Sequence, residues 1–209
     1  LDFSKIEAGK LQIENIPLDV MQTVDKTVEV FLPLAKDKKL HFVRDLDKKI
    51  RKEVLGDPTR LNQVLINLLG NAFKFTEEGE IVLKVELLEK DKKNYKIRFS
   101  VRDTGIGISQ KHQNSIFDSF AQAEPSTARL FGGTGLGLSI SYQLIKLMGG
   151  DLKVESKVGE GTEFSFELDL EILKFQAMVN NVSVEKLPKG VRVLLVEDNK
   201  VNQFLAQTI

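Results

Sequence analysis

At about 150 residues per domain, 209 residues amount to roughly 1.4 domains, so one complete domain flanked by fragments is expected. Thirty Lys and Arg balance thirty Asp and Glu, which leaves no global basic field to collect nucleic acid or an anionic membrane. The chain is 42% hydrophobic and 29% charged, which fits a folded core. It has no apolar run near a membrane span, no signal-peptide pattern, and no cysteine for disulfides, thiolate chemistry or Cys-held metals.

Leu1 to Gln12 reads as the end of a helix arriving from upstream. From Asp19, the residues Val20, Val24, Val28, Phe31, Leu32 and Ala35 recur at steps of three and four, which predicts an amphipathic helix whose last turn Pro33 should kink. Leu40 to Leu46 reads as a strand. Asp57-Pro58 supplies an N-cap and first-turn proline for a second helix carrying Leu61, Val64, Leu65, Leu68, Leu69 and Ala72 on one face. Ile81, Leu83, Val85 and Leu87 alternate with Val82, Lys84 and Glu86, and Ile97, Phe99 and Val101 with Arg98, Ser100 and Arg102, which predicts two antiparallel strands joined around Lys90 to Asn94. A short helix over Ser109 to Phe117, an irregular stretch Asp118 to Gly133 and a helix Leu136 to Met148 follow. Strands Leu152 to Ser156 and Thr162 to Leu170 close the set across the Gly159-Glu160-Gly161 turn. The expected architecture is a two-layer α/β sandwich, a mixed and largely antiparallel sheet covered on one face by helices. Gln176 to Gly190 reads as a linker, and Val191 to Val196 as a buried strand opening another domain.

Ten of the fifteen glycines fall between Gly105 and Gly161, a density that implies close backbone approach. Gly132-Gly133-Thr134-Gly135-Leu136-Gly137-Leu138-Ser139 directly precedes an apolar helix, where amides and a positive helix end can hold phosphate. A Walker loop would need lysine where Leu138 stands, and a Rossmann loop would need GxGxxG after a strand. Asn67, Asn71 and Lys74 lie at i, i+4 and i+7 on the second helix, so two carboxamides and an ammonium share a face. They are either solvent-facing amides or a site where one neutral oxygen helps hold Mg²⁺ beside phosphates. Asp103-Thr104-Gly105-Ile106-Gly107-Ile108 ends a strand. It is either a polar turn or a carboxylate placed to accept from an exocyclic amine, with glycines letting a flat ring approach.

Asn67 to Thr76 resembles the N box, Asp103 to Ile108 the first glycine box, Phe117 to Phe120 the F box and Gly133 to Gly137 the second glycine box of sensor histidine kinases. The resemblance covers about Pro17 to Leu170 and implies the Bergerat ATP-binding fold, shared with gyrase and mismatch-repair ATPases. It implies that Asn71 coordinates Mg²⁺ with Asn67 and Lys74 near the phosphates, where they serve catalysis. Asp103 would bind the adenine amine with Thr162 and a water, beside Gly105 and Gly107. Gly133, Gly135 and Gly137, with Thr134 and Leu136 between them, would cradle the phosphates, and Asp118 to Phe131 would form the ATP lid. Relatives place a γ-phosphate arginine where this chain has Gln122, which passes that role to Arg129.

The two ends extend the resemblance. Residues 1–15 resemble the close of a dimerisation and histidine-phosphotransfer helix pair, residues 16–175 the catalytic domain, and residues 191–209 the first strand and helix of a receiver, with Glu197 and Asp198 as its acidic pair. A hybrid kinase follows, a homodimer whose partners are ATP, the phosphotransfer domain of the same or a sister chain, and a receiver; this portion is expected to be cytoplasmic. His41 and His112 do not match the acceptor histidine, so the chain alone should not phosphorylate itself. Gyrase-like ATPases carry glutamate at position 67 to polarise water; Asn67 cannot accept a proton, which favours transfer over hydrolysis. A nucleotide-gated interaction module without catalysis is the remaining alternative.

Overall fold

The computed structural model describes residues 6, 8, 10–50, 53–113, 115–117 and 136–173. The chain divides into two compact units, Leu1–Leu173 and Lys174–Ile209, and all described residues belong to the first. Strand β1 (Ile16–Leu18) leads into helix α1 (Val20–Lys38), then β2 (His41–Leu46), β3 (Val54–Gly56), α2 (Pro58–Phe75), β4 (Glu80–Lys90) and β5 (Asn94–Asp103). A short α3 (Gln110–Gln113) precedes α4 (Gly137–Leu147), β6 (Leu152–Lys157) and β7 (Gly161–Glu171). The main sheet has the order β2-β4-β5-β7-β6, with β2 parallel to β4 and every other pair antiparallel. This is the mixed, largely antiparallel sheet that the alternation predicts.

Period-two patterning sorts the two faces of the sheet. Ile81, Leu83 and Val85 of β4, Ile97, Phe99 and Val101 of β5, and Phe164, Phe166 and Leu168 of β7 are buried in register beneath the helices. Phe99 and Phe166 stack at 5.0 Å between centroids. The other face carries ion pairs between neighbours, among them Arg98 with Glu163 at 3.3 Å and Lys96 with Glu167 at 3.4 Å.

Asp19 caps α1 by accepting from the Gln22 amide at 2.9 Å, and Asp57 caps α2 by accepting from Arg60 at 2.9 Å. Asp57 also accepts from the Glu14 amide at 3.0 Å, which pins the incoming chain over the start of α2. The apolar face of α2 is buried as predicted, with Phe73 added to it, stacked on Phe31 at 5.1 Å. In α1 the expected stripe holds except at Leu32, which is 51% exposed; at 100° per residue it sits about 90° round from the centre of the buried face. Thr27 takes a core place instead, its hydroxyl donating to Thr23 O. Pro33 lies on the exposed side, and the helix runs through it to Lys38.

Two other expectations change. The helix predicted over Ser109 to Phe117 is regular only at Gln110–Gln113. The antiparallel pair β1–β3 forms a second, two-stranded sheet that no pattern in the sequence predicts. Most of Leu1 to Gln12, the stretch Asp118 to Gly133, the linker and the strand at Val191 to Val196 lie outside the described residues. Among the described residues no helix is long and apolar enough to cross a membrane.

Candidate functional site

The site begins where the buried apolar rows of the sheet end in polar residues. Ile97, Phe99 and Val101 are followed on the same face by Asp103; Leu168, Phe166 and Phe164 by Thr162; Leu152 and Val154 by Ser156. Register aligns these ends, Asp103 opposite Thr162 and Thr162 opposite Ser156, so a carboxylate and two hydroxyls sit side by side where hydrophobic packing stops. Asp103 is only 7% exposed and Thr162 6%. Burial raises the Asp103 carboxyl above its ordinary 3.8, partly offset by the amides of Gly105 and Thr162, and no lysine or arginine among the described residues contributes. Gly105 N donates to Asp103 Oδ1 at 2.9 Å.

The glycines around Asp103 have a packing task that their pattern does not reveal. A Cβ on Gly105 would overlap the carbonyl oxygen of Phe75, one on Gly107 that of Lys157, and one on Gly161 that of Asp103. Gly107 and Gly161 also hold φ of +69° and +112°. These glycines let backbone pack on backbone: the end of α2, the loop after β5 and the β6–β7 turn are locked into one floor. Ile106 N donates to Phe75 O at 3.3 Å and Gly159 N to Ile106 O at 2.9 Å. From α1, Lys38 Nζ donates to Phe73 O at 2.6 Å and so holds the C-terminal end of α2.

The face of α2 supplies the second wall. Asn67, Asn71 and Lys74 are all half-buried, but they are not equivalent. Asn67 Nδ2 donates to Ser141 Oγ of α4 at 2.8 Å, and its carboxamide lies against Gly137, where a Cβ would overlap it. Asn67 thus joins α2 to the start of α4, a task that a partner 74 residues away in sequence could not reveal. Lys74 Nζ lies 4.8 Å from the Phe75 ring centroid. The Asn71 carboxamide makes no hydrogen bond among the described residues, and none of them comes within 4 Å of a Cβ placed on neighbouring Gly70. Thr76, just beyond α2, carries a buried hydroxyl with no hydrogen-bond partner among the described residues.

Mg·ATP, which the sequence resemblance implies, can be tested on these groups. A buried carboxylate able to accept, in a row of hydroxyls, fits a base that presents an amine. Among the described residues no group of three His, Cys, Asp or Glu could hold a metal ion. An ion carried in on phosphates and needing only the Asn71 oxygen from protein fits that arrangement. The groups present therefore fit. Leu136 and Gly137 open α4 without a side-chain cap from Leu136. Gln122, Arg129, Gly133, Thr134 and Gly135 lie outside the described residues. Ser156 and Ser141 are the site residues that sequence reasoning missed; for Ser156 the signal was present, as the first polar residue ending the Leu152, Val154 row.

Known proteins match the same part of the chain. The family model described as histidine kinase-, DNA gyrase B-, and HSP90-like ATPase matches residues 56–172, from the cap of α2 to just past β7. The sensor histidine kinase GacS of Pseudomonas protegens is 45% identical over 205 residues, 96% of this chain and 22% of that protein. Hybrid signal transduction histidine kinase K of Dictyostelium discoideum is 37% identical, over 99% of this chain and 18% of its own length. The chain therefore spans about a fifth of the curated relatives it matches. The structure of full-length ShkA in complex with AMPPNP superposes with a TM-score of 0.71 at 31% identity, covering 82% of this chain and 34% of that one. With more than half its length inside the family model and this sheet order beneath the site, the chain belongs to the histidine kinase-, DNA gyrase B-, and HSP90-like ATPase family, as the type of catalytic domain carried by sensor histidine kinases.

Proposed function

We propose that this chain binds Mg·ATP and, within its parent protein, directs the γ-phosphoryl group to a histidine on a dimerisation and phosphotransfer helix pair. The observation that carries the reading is Asp103, a buried carboxylate ending an apolar row, whose following loop packs on the end of α2, the helix that carries Asn71. Asp103 accepts from the adenine amine, with Thr162 beside it. Asn71 offers its oxygen to Mg²⁺, and Lys74 adds positive charge near the phosphates. Gly133, Thr134, Gly135, Leu136 and Gly137 present amides to the phosphates at the start of α4, and Arg129 serves the γ-phosphate where Gln122 replaces the usual arginine. Bound Mg·ATP supplies the phosphoryl group, the metal neutralising charge that gathers on ADP as it leaves.

The acceptor chemistry follows from what α2 lacks. Asn67 cannot take a proton and its amide is engaged by Ser141, so nothing at that position activates water. A neutral imidazole needs no such activation, which favours transfer to histidine over hydrolysis. His41 contacts Glu80 at 2.9 Å on the edge strand of the sheet, and His112 of α3 contacts Ser109 at 2.9 Å, so both are held locally. The acceptor then lies in the helix pair of which residues 1–15 are the end, with the catalytic domain over 16–175, a linker over 176–190 and the start of a receiver over 191–209. The match to a hybrid kinase over nearly the whole chain supports this organisation, and a homodimeric parent fits a phosphotransfer helix pair.

Supplying an isolated helix-pair domain of the GacS relative together with labelled ATP tests the reading. Acid-labile label on the histidine of the added domain, and none on this chain, is the expected result. Release of free phosphate at a comparable rate would favour a gyrase-like ATPase, and nucleotide binding without either product would favour a nucleotide-gated interaction module.

A further inference from the structure

We propose that Ser156, which none of the sequence motifs includes, determines base specificity by fixing the hydroxyl proton of Thr162, leaving Thr162 an acceptor toward the bound base. The inference rests on the reading that the site takes a purine nucleotide. Ser156 Oγ has three polar neighbours: the amide of Ile108 at 2.7 Å, the carbonyl of Gly161 at 2.8 Å and the hydroxyl of Thr162 at 2.9 Å. An amide can only donate and a carbonyl can only accept, so Ser156 accepts from Ile108 and spends its single proton on Gly161. The contact with Thr162 is then a hydrogen bond only if Thr162 donates. With that proton committed, what Thr162 has left is lone pairs.

Thr162 stands opposite Asp103 in the β5–β7 register, and the free positions of an ionised carboxylate are also acceptors. The two groups present an edge that accepts and does not donate. A six-amino purine meets this edge with its N–H groups. A six-oxo purine sets a carbonyl oxygen against the same lone pairs, and a buried mismatch of that kind is costly. Were Ser156 absent, the Thr162 hydroxyl would be free to turn and donate, and the penalty on the oxo base would relax. Ser156 is thus a specificity-determining residue that acts through Thr162 without touching the base. The same three bonds tie the loop after β5 to the β6–β7 turn, so a purely structural role predicts equal losses for all nucleotides.

The test is the ratio of dissociation constants for ATP and inosine triphosphate, measured by calorimetry on the whole chain. Ser156→Ala and Thr162→Val are each expected to reduce the preference for ATP about fivefold, the equivalent of one neutral hydrogen bond. The double variant should lose no more than either alone, and Ser156→Thr should keep the wild-type ratio. In the nucleotide-free chain, amide exchange at Ile108 should speed up in Ser156→Ala and return toward wild type in Ser156→Thr. An unchanged ratio in Ser156→Ala, or an equal weakening of both nucleotides, overturns the proposal, and Thr162→Val decides it should the serine variant not fold. A wild-type chain that binds neither nucleotide removes the nucleotide reading and this inference together, whereas a retained ratio removes this inference alone.

Discussion

Asp103→Asn lowers affinity for ATP by about 1–3 kcal/mol, the range for a buried polar group left without its partner, while making the nucleotide-free chain more stable at neutral pH. The two effects share one cause. No lysine or arginine among the described residues acts on Asp103, and burial dominates the rise of its carboxyl above 3.8. The native state therefore holds this proton more tightly than the unfolded chain does, and stability is lost as pH rises from below 3.8 through the raised value. Asparagine keeps an oxygen for the Gly105 amide and removes the buried charge. Its advantage in a melt should be largest at neutral pH and vanish below 3.8, where both states carry a protonated carboxyl. Toward the nucleotide it replaces an acceptor-only group with one that also donates, the wrong polarity for an amine. Calorimetric titration and thermal melts across pH measure both. An asparagine variant that is less stable at every pH, with unchanged nucleotide affinity, would mean that Asp103 serves packing and not the ligand.

Gly105→Ala is expected to cost about 1–3 kcal/mol of stability, as overpacking does where neighbours cannot yield. The added methyl meets the Phe75 carbonyl and carbon, which are backbone at the end of α2 held by Lys38, and Asp103 Oδ1 lies 3.0 Å away. Relief by tilting the loop shifts the carboxylate, so nucleotide affinity falls along with the melting temperature. At about 2–4 °C per kcal/mol for a chain of this size, the shift is readily measured. Gly149 offers the contrast: its φ is +84° but none of the described residues lies within 4 Å of a Cβ there, so among them the strain at that position is conformational alone. A Gly105→Ala chain that melts with the wild type would show that the floor adjusts freely.

Much of this fold is legible from residue order alone, wherever the signal is local. Asp57-Pro58 and six apolar positions at helical spacing define α2 because capping and amphipathicity act within one segment. Alternation over Ile81 to Leu87 and Ile97 to Val101 defines β4 and β5 for the same reason. The pair β1–β3 escapes because three-residue strands are too short to show a period. Leu32 misleads because a step of four from Val28 extends a stripe past the arc that the sheet covers.

Within the site, residue types are readable from sequence and their contacts are not. Asp103 stands out as a carboxylate ending an apolar row. The bond from Asn67 to Ser141 depends on how α2 and α4 cross, and the need for glycine at 105, 107 and 161 on how three loops stack. Glycine density announces close approach, and at Gly105, Gly107 and Gly161 the chain's own backbone is what a Cβ would meet. Ser156 passes for an ordinary strand-end serine until register sets it beside Thr162.

All of the proposed chemistry requires a purine nucleotide with its base at Asp103 and its phosphates toward Asn71 and the start of α4. A crystal structure of the chain grown with Mg²⁺ and a non-hydrolysable ATP analogue tests this most directly. The predicted result is the exocyclic amine within hydrogen-bonding distance of Asp103 and the metal ligated by Asn71 and phosphate oxygens. An analogue bound elsewhere, or a metal that leaves Asn71 untouched, would contradict it.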